Sequence, residues 1–324
     1  MNSLKYIKKP VSVHLTEFNK VFRSAVKSNT ALLDIIMQYI LKSKGKQIRP
    51  IIVLYSAGLT GEINPSTYRA ATLVELLHTA TLVHDDVVDE SYQRRGRFSI
   101  NAIWRNKIAV LAGDFLLSRG MLLAVENGDH QMLEIVSRAV KEMSEGELLQ
   151  IEKARKLDID EAVYFDIIRR KTASLLASCF AVGAASTDSD DEVVTKMHKI
   201  GENLGMAFQI KDDLLDFGAG DNIGKPTGID IKEKKMTLPL IYLINHSNKK
   251  EKREYINIVK NHSEDKQKVN WLVDRVKQSG GMEYTIKKMT EFEEEALALL
   301  NTFRKNESRT MLKEIIRFTI DRKK

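Results

Sequence analysis

Two clusters of aspartates are the residues in this sequence best placed to do chemistry. Residues 79–91 read Thr-Ala-Thr-Leu-Val-His-Asp-Asp-Val-Val-Asp-Glu-Ser, with Asp85, Asp86 and Asp89 closing a long apolar run. On a helix Asp85 and Asp89 share a face, and Asp86 stands about 100° round from Asp85. Three carboxylates so close repel one another, and a helix C-terminal end disfavours anions. A bound cation removes that conflict, and oxygen-only donors suit Mg²⁺ better than zinc or copper. For one cluster alone, a solvated acidic helix end explains the pattern equally well.

The arrangement recurs. Phe208-Gln-Ile-Lys-Asp-Asp-Leu-Leu-Asp-Phe217 places Asp212, Asp213 and Asp216 at the same spacing. Two matching clusters predict two helices facing each other across a metal site. Mg²⁺ is usually held by one or two carboxylates together with substrate phosphates, so a phosphate or diphosphate substrate is expected between them.

The cations fit such a substrate. Lys46 and Arg49 sit in Gly45-Lys-Gln-Ile-Arg-Pro50, a turn before a helix N-terminus and so a natural anion site. Arg94 and Arg95 follow the first cluster. Arginine suits bidentate phosphate recognition, and adjacent arginines point differently, so they can serve separate phosphate groups or act as counter-charges to the aspartates. Lys171-Thr172 lies inside an apolar helical stretch. Residues 217–235 carry Gly218, Gly220, Gly224 and Gly228 with Lys225, Lys232, Lys234 and Lys235, a basic loop able to close over a diphosphate. The loop lacks the strand–loop–helix spacing of a P-loop. His78, in the apolar body of its helix, reads as a core residue unless other anion-binding groups converge on it. Glu147 and Gln150 can face either the pocket or the solvent, and solvent is the plainer reading.

The elements that must position these residues are nearly all helical. Apolar residues recur at helical spacing, alternating strand-like runs are hard to find, and only five prolines and 17 glycines interrupt 324 residues. Asn64 and Pro65 form an N-cap and N1 pair opening the helix that ends at the first cluster. Its body, residues 70–83, is small or apolar on nearly every side and should be central. Another long helix is expected to follow Ser99 as far as about Glu126, and residues 193–216 should form the helix of the second cluster. No linker or repeat divides the chain, so a single all-α domain over 1–324 is expected.

Composition narrows the partners. Apolar content of 43% supports a sizeable core. The net charge of +7 could attract nucleic acid, but Lys and Arg are dispersed and no nucleic-acid motif is present, so that partner is set aside. A lone cysteine, Cys179, permits no intrachain disulfide and fits a reducing compartment. The N-terminus lacks the apolar core of a signal peptide, and no spanning helix is read, so a cytoplasmic protein is expected.

In order, the motifs are Gly45–Pro50, Leu77-His-Thr-Ala-Thr-Leu-Val-His-Asp-Asp-Val-Val-Asp89, Arg94-Arg-Gly96 and Gly113-Asp-Phe115. Lys171-Thr172, Phe208–Asp216, Gly224-Lys225 and Thr237-Leu-Pro239 follow. This ordered set, over residues 45–240, resembles the trans-isoprenyl diphosphate synthases of medium- or long-chain type. The resemblance implies an isoprenoid synthase-type helical bundle around a deep central cavity, a homodimer, and several Mg²⁺ ions. It implies head-to-tail condensation of isopentenyl diphosphate with an allylic diphosphate, and a quinone side chain as the use of the product. Asp85, Asp86, Asp89, Asp212 and Asp216 would bind metal, with Asp213 among or supporting them. Arg94, Lys171, Lys225 and Lys235 would hold the allylic diphosphate; Lys46, Arg49, His78 and Arg95 would hold isopentenyl diphosphate. Thr172 and Gln209 would lie near the developing cation. Phe98 is a departure, since many relatives have proline there; it should alter the stiffness of the loop.

The resemblance also implies that the growing chain threads alongside the helix before Asp85, so that this helix bears on product length. At a rise of ~1.5 Å per residue, Ala80 and Thr81 lie about 6–8 Å from Asp85, Leu77 about 12 Å and Val74 about 16 Å. Short-chain relatives often carry bulky aromatics at the positions matching Ala80 and Thr81. Small residues here predict a product of roughly six to ten isoprene units by the depth of that helix. So long a product would call for peripheral membrane contact on release. The alternatives are a farnesyl or geranylgeranyl synthase, a terpene cyclase, and a non-catalytic synthase subunit. Cyclases usually lack the Gly45–Pro50 and Arg94-Arg95 features, and a non-catalytic subunit tends to lose an aspartate cluster or its basic partners.

Overall fold

A computed structural model describes residues 4–42, 45–94, 96–156, 159–218 and 228–320. In chain order the helices are α1 (Leu4–Lys8), α2 (Ser12–Ala25), α3 (Ala31–Lys42), α4 (Ile48–Thr60), α5 (Pro65–Val88), α6 (Ile100–Glu126), α7 (His130–Lys156) and α8 (Glu161–Ile168). A π-helical turn, Arg169–Ala173, leads directly into α9 (Ser174–Ala185). Then come α10 (Asp191–Asp216), α11 (Ile229–Lys232), α12 (Leu238–Asn245), α13 (Lys249–Asn261), α14 (Lys266–Gln278), α15 (Gly281–Asn301) and α16 (Glu307–Ile320). The chain is all-α as its periodicity predicts. The strands among the described residues are β1 (Gln93–Arg94) and β2 (Arg97–Phe98), antiparallel with Gln93 opposite Phe98. This small hairpin is not foreseen from the sequence, because two-residue strands carry no alternation to read.

Where the sequence predicts one domain over 1–324, the contacts gather into two compact units. The first comprises Met1–Val140, Ser178–His198 and Phe303–Ile315, and the second comprises Lys141–Ala177, Lys199–Thr302 and Ile316–Lys324. The first acidic cluster belongs to one unit and the second cluster to the other.

In the first unit α5 runs through the core. Asn64 caps it, accepting from the backbone N–H groups of Ser66 and Thr67 while the Thr67 hydroxyl accepts from the Asn64 N–H. Ala70, Val74, Leu76 and Ala80 have no exposed surface. Full burial of a side chain such as Leu76 contributes about 1.5–3 kcal/mol. Packed along α5 is α6, with Gly120 against Leu73 and Leu77 and with Gly113 beneath the His84 ring. Nε2 of His84 also lies 3.2 Å from the Val110 carbonyl.

α6 corrects one sequence expectation. By length and composition it is apolar enough to cross a membrane, although Arg105, Lys107, Asp114 and Arg119 make the run look interrupted. Ile103, Val110, Leu111, Met121, Leu122 and Val125 are exposed on it, with exposed Lys107 and Asp114 among them. Its second turn is kinked at Arg105, whose φ of 68° and ψ of 166° are outside the helical region.

In the second unit the π turn is the pivot. Arg169 bridges Asp166 at 3.0 Å and Glu142 at 3.2 Å, and Arg170 bridges Asp166 at 2.9 Å. Two glycines admit helices to either side of the turn. A Cβ at Gly146 of α7 would lie 2.8 Å from Arg170 Cβ, and one at Gly205 of α10 would strike the Ala173 backbone. α12 begins three residues after Lys235, with Leu238, Pro239, Leu240, Ile241, Leu243 and Ile244 all buried.

Candidate diphosphate and metal site

The first unit divides its three aspartates. α5 stops at Val88, so Asp85 and Asp86 sit in its last turn and Asp89 at its C-cap. Asp85 and Asp89 are exposed. The Asp86 side chain is 3% exposed as a residue and turned inward, where Arg94 Nε donates to its Oδ1 at 2.7 Å. Burial pushes the Asp86 carboxyl up and the Arg94 guanidinium opposes that shift. The Ser91 N–H and the Asn101 amide both donate to the Asp86 carbonyl at 2.9 Å, fixing the turn that leads to the hairpin.

A cavity of about 110 Å³ opens beside this pair. His78, Asp86 and Arg94 contribute polar groups to it, and Phe18, Phe22 and Leu82 supply apolar wall. His78 therefore shares a cavity with Asp86 and Arg94. Val74, Leu77, Ala80 and Thr81 are not among the walls of this cavity. Val74, Leu77 and Ala80 are buried, and Thr81 is half-buried with its hydroxyl donating to the His78 carbonyl at 2.9 Å. Lys46 is exposed just ahead of α4, and Arg49 is half-buried within its first turn, one step inside the helix where the sequence places it on the turn before. Arg95 lies outside the described residues.

The second unit builds a denser arrangement. Thr172 donates to Gln209 Oε1 at 2.9 Å, and Gln209 Nε2 donates to Asp213 Oδ1 at 3.1 Å. The Tyr164 hydroxyl donates to Asp213 Oδ2 at 2.7 Å. Both Asp213 oxygens are thus engaged, and the carboxylate is buried. Burial, with Asp230 and Asp212 adding and Tyr164 and Gln209 opposing, pushes Asp213 up to about 7. Asp216 accepts from the N–H groups of Ile229 and Asp230 at 2.9 and 3.2 Å, which ties the segment after the second cluster to it. Burial and the nearby Asp216 push Asp230 up to about 6. Asp212 is half-buried at the same helix end.

One cavity, also of about 110 Å³, joins these groups: Lys171, Thr172, Gln209, Asp213, Asp230 and Lys235 are among its walls. Lys235 pairs with Glu233 at 2.5 Å and lies 3.6 Å from Asp230. Lys171 pairs with Glu147 and donates to Gln150 Oε1 at 3.3 Å. Of the two readings open for Glu147 and Gln150, the one toward the pocket holds and the solvent-facing one does not, because the close approach at Gly146 sets them against the π turn. Lys225 lies outside the described residues.

The sequence gives no sign of Tyr164 or Asp230 as site residues. Tyr164 sits in an apolar stretch and reads as core, while Asp230 stands with Glu233 among Lys232, Lys234 and Lys235 in a mixed charged run that does not single it out.

The donors fit magnesium. Among the described residues no three acidic, imidazole or thiol groups converge to hold an ion unaided. Exposed Asp85 and Asp89 and half-buried Asp212 are hard oxygen donors of the kind that hold Mg²⁺ together with phosphate oxygens.

Residues 30–276 match the family described as polyprenyl synthetase. The chain is 35% identical over 317 residues to the all-trans-nonaprenyl-diphosphate synthase (geranyl-diphosphate specific) of Rhodobacter capsulatus, covering 97% of this chain and 96% of the relative. It is 33% identical to the octaprenyl diphosphate synthase of Escherichia coli, covering 92% of each. The solved structure of a decaprenyl diphosphate synthase from Rhodobacter capsulatus superposes with a TM-score of 0.93 at 31% identity, covering 99% of this chain and 100% of that one.

Proposed function

The chain belongs to the polyprenyl synthetase family, and we propose that it lengthens an allylic prenyl diphosphate head to tail with isopentenyl diphosphate, giving a medium- or long-chain all-trans product. The single observation that carries the site reading is the cavity where Lys171, Thr172, Gln209, Asp213, Asp230 and Lys235 meet. It sets cations for a diphosphate against carboxylates and a hydrogen-bonded chain.

Lys171, Lys235, Arg94 and Lys225 hold the allylic diphosphate. Lys46, Arg49, His78 and Arg95 hold isopentenyl diphosphate. Asp85, Asp86, Asp89, Asp212 and Asp216 are the metal-side carboxylates, and Asp213, with both oxygens already bonded, supports Gln209. Bound Mg²⁺ supplies neutralisation of the leaving diphosphate. Lys171 and Lys235 add to that stabilisation, because their charge acts on an anion that grows as the allylic C–O bond breaks. Thr172 and Gln209 face the developing cation with oxygen dipoles. No protein nucleophile is required, and the apolar surroundings keep away water that would quench the cation.

The homologues named octaprenyl, nonaprenyl and decaprenyl synthases support a product of that order. The product serves quinone side chains in this reading, made by a cytoplasmic enzyme and released at a membrane surface. The exposed apolar side chains of α6 support a homodimer, since a second copy would cover them.

The test is incubation with labelled isopentenyl diphosphate, farnesyl diphosphate and Mg²⁺, with products resolved by length. One long prenyl diphosphate, lost on adding EDTA, is expected. Release of diphosphate with a cyclic hydrocarbon would overturn the elongation.

A further inference from the structure

Lys171 is paired with a carboxylate of the protein itself. The π turn places it: such a turn inserts an extra residue into a helix, and these bulges recur at functional sites. Here the turn is anchored from outside by Arg169 and Arg170, which bridge Asp166, and by Arg170 reaching Glu145 of α7 at 3.4 Å. Gly146 then brings α7 against the turn, since a Cβ there would lie 2.9 Å from the Lys171 backbone nitrogen. The next residue, Glu147, extends its carboxylate to the Lys171 ammonium, and Gln150, one turn on, accepts from the same ammonium at 3.3 Å. Gln150 and Lys171 line the cavity described above, and both members of the ion pair are about one-third exposed.

We propose that Glu147, assisted by Gln150, is an internal anion that competes with diphosphate for Lys171 and so sets how firmly diphosphate is held there. The proposal rests on Lys171 being a diphosphate ligand. Chain elongation gives such a competitor a use. Each condensation breaks one allylic C–O bond, forms one C–C bond, breaks one C–H bond of the isopentenyl unit as the new double bond forms, and leaves one inorganic diphosphate, which can take up the released proton, where the allylic diphosphate was bound. That anion must leave before the lengthened chain can take its place. A carboxylate waiting beside Lys171 takes the ammonium back as the diphosphate goes. Glu147 is a positioning residue here, acting through Lys171 and not on the reacting carbons.

The experiment measures binding of inorganic diphosphate with Mg²⁺ to the full chain by calorimetry. It compares wild type with Glu147→Gln, Lys171→Gln and the double variant. Glu147→Gln keeps an acceptor for the ammonium and removes only the charge. It should tighten binding about three- to fivefold, the scale of a partly exposed ion pair. Inorganic diphosphate should inhibit turnover at correspondingly lower concentration. In the Lys171→Gln background the gain should vanish. Glu145→Gln, which removes an equal charge from α7 beside Arg170, should change affinity less than twofold. Weaker or unchanged binding in Glu147→Gln, with Lys171→Gln still weakening it, would overturn the competition and leave Glu147 as a simple support. Unchanged binding in Lys171→Gln would instead overturn the assignment of Lys171 as a diphosphate ligand. A gain in Glu145→Gln equal to that in Glu147→Gln would reduce the effect to general charge and overturn the proposal.

Discussion

The Tyr164 hydroxyl donates to Asp213 Oδ2 across 2.7 Å, and both residues are buried. This bond joins α8, ahead of the π turn, to the second acidic cluster on α10. It also leaves Asp213 committed to its protein partners. Replacing Tyr164 with Phe should cost about 1–3 kcal/mol, because a buried carboxylate loses one of its two donors. Chemical denaturation measures it; a loss below half a kcal/mol would show that the bond carries no weight.

A pH effect follows from the same carboxylate. Asp213 is pushed up to about 7 in the folded protein from an ordinary value of 3.8. A raised carboxyl means that the folded state holds the proton more tightly than the unfolded state, so stability should increase as pH falls from 7 towards 4 and be lowest above 7. Asp230, pushed up to about 6, contributes with the same sign. In EDTA, Asp213→Asn should melt above wild type at pH 8, with the gap closing by pH 5. A gap independent of pH would contradict the shift.

Product length should respond to depth along α5. Ala80 and Val74 are fully buried on this helix. Phenylalanine at Ala80, about 7.5 Å from Asp85 along the axis, should give a shorter product than phenylalanine at Val74, about 16 Å away. Overpacking costs about 1–3 kcal/mol at such sites, so Ala80→Leu serves if the larger change unfolds the chain. Chromatography of the prenyl products reads the result, and the same length from all variants would remove α5 as the ruler.

The chain of bonds from Thr172 through Gln209 to Asp213 should matter to chemistry more than to binding. Thr172→Val keeps the shape and removes the donor to Gln209. It should lower kcat about tenfold to a hundredfold with KM for the allylic diphosphate within about threefold, as loss of an interaction made mainly in the transition state does. A rise in KM with kcat intact would assign Thr172 to ground-state binding.

Arg105 supplies a test of strain. Its φ of 68° with ψ of 166° lies in a region that is essentially glycine's alone, and its side chain is exposed. Arg105→Gly should therefore raise stability by about 1 kcal/mol, the low end of what such a conformation costs. A lower melting temperature for the glycine variant would mean that the side chain makes up for the strain.

The helices were legible because apolar periodicity and caps are local. Asn64-Pro65 marks the start of α5 to the residue, and the spacing of Asp85, Asp86 and Asp89 announces a charged end. The ordered motifs were enough to place the chain in its family, since residue type and spacing are read without knowing where the chain goes. Tertiary structure decided what spacing cannot. Asp86 and Asp213 stand in clusters of identical spacing, yet Asp86 is paired with Arg94 of a hairpin and Asp213 with Tyr164 and Gln209. Which partner a carboxylate meets depends on chain segments up to 49 residues away in sequence. Glu147 and Gln150 show the same limit. Their helix spacing is compatible with solvent, and only the approach permitted by Gly146, against a π turn with no local signature, brings them to Lys171. The sequence by itself determined the helices, the motifs and the family; the tertiary structure decided which charges meet, because burial and pairing are set by distant segments arriving at one place.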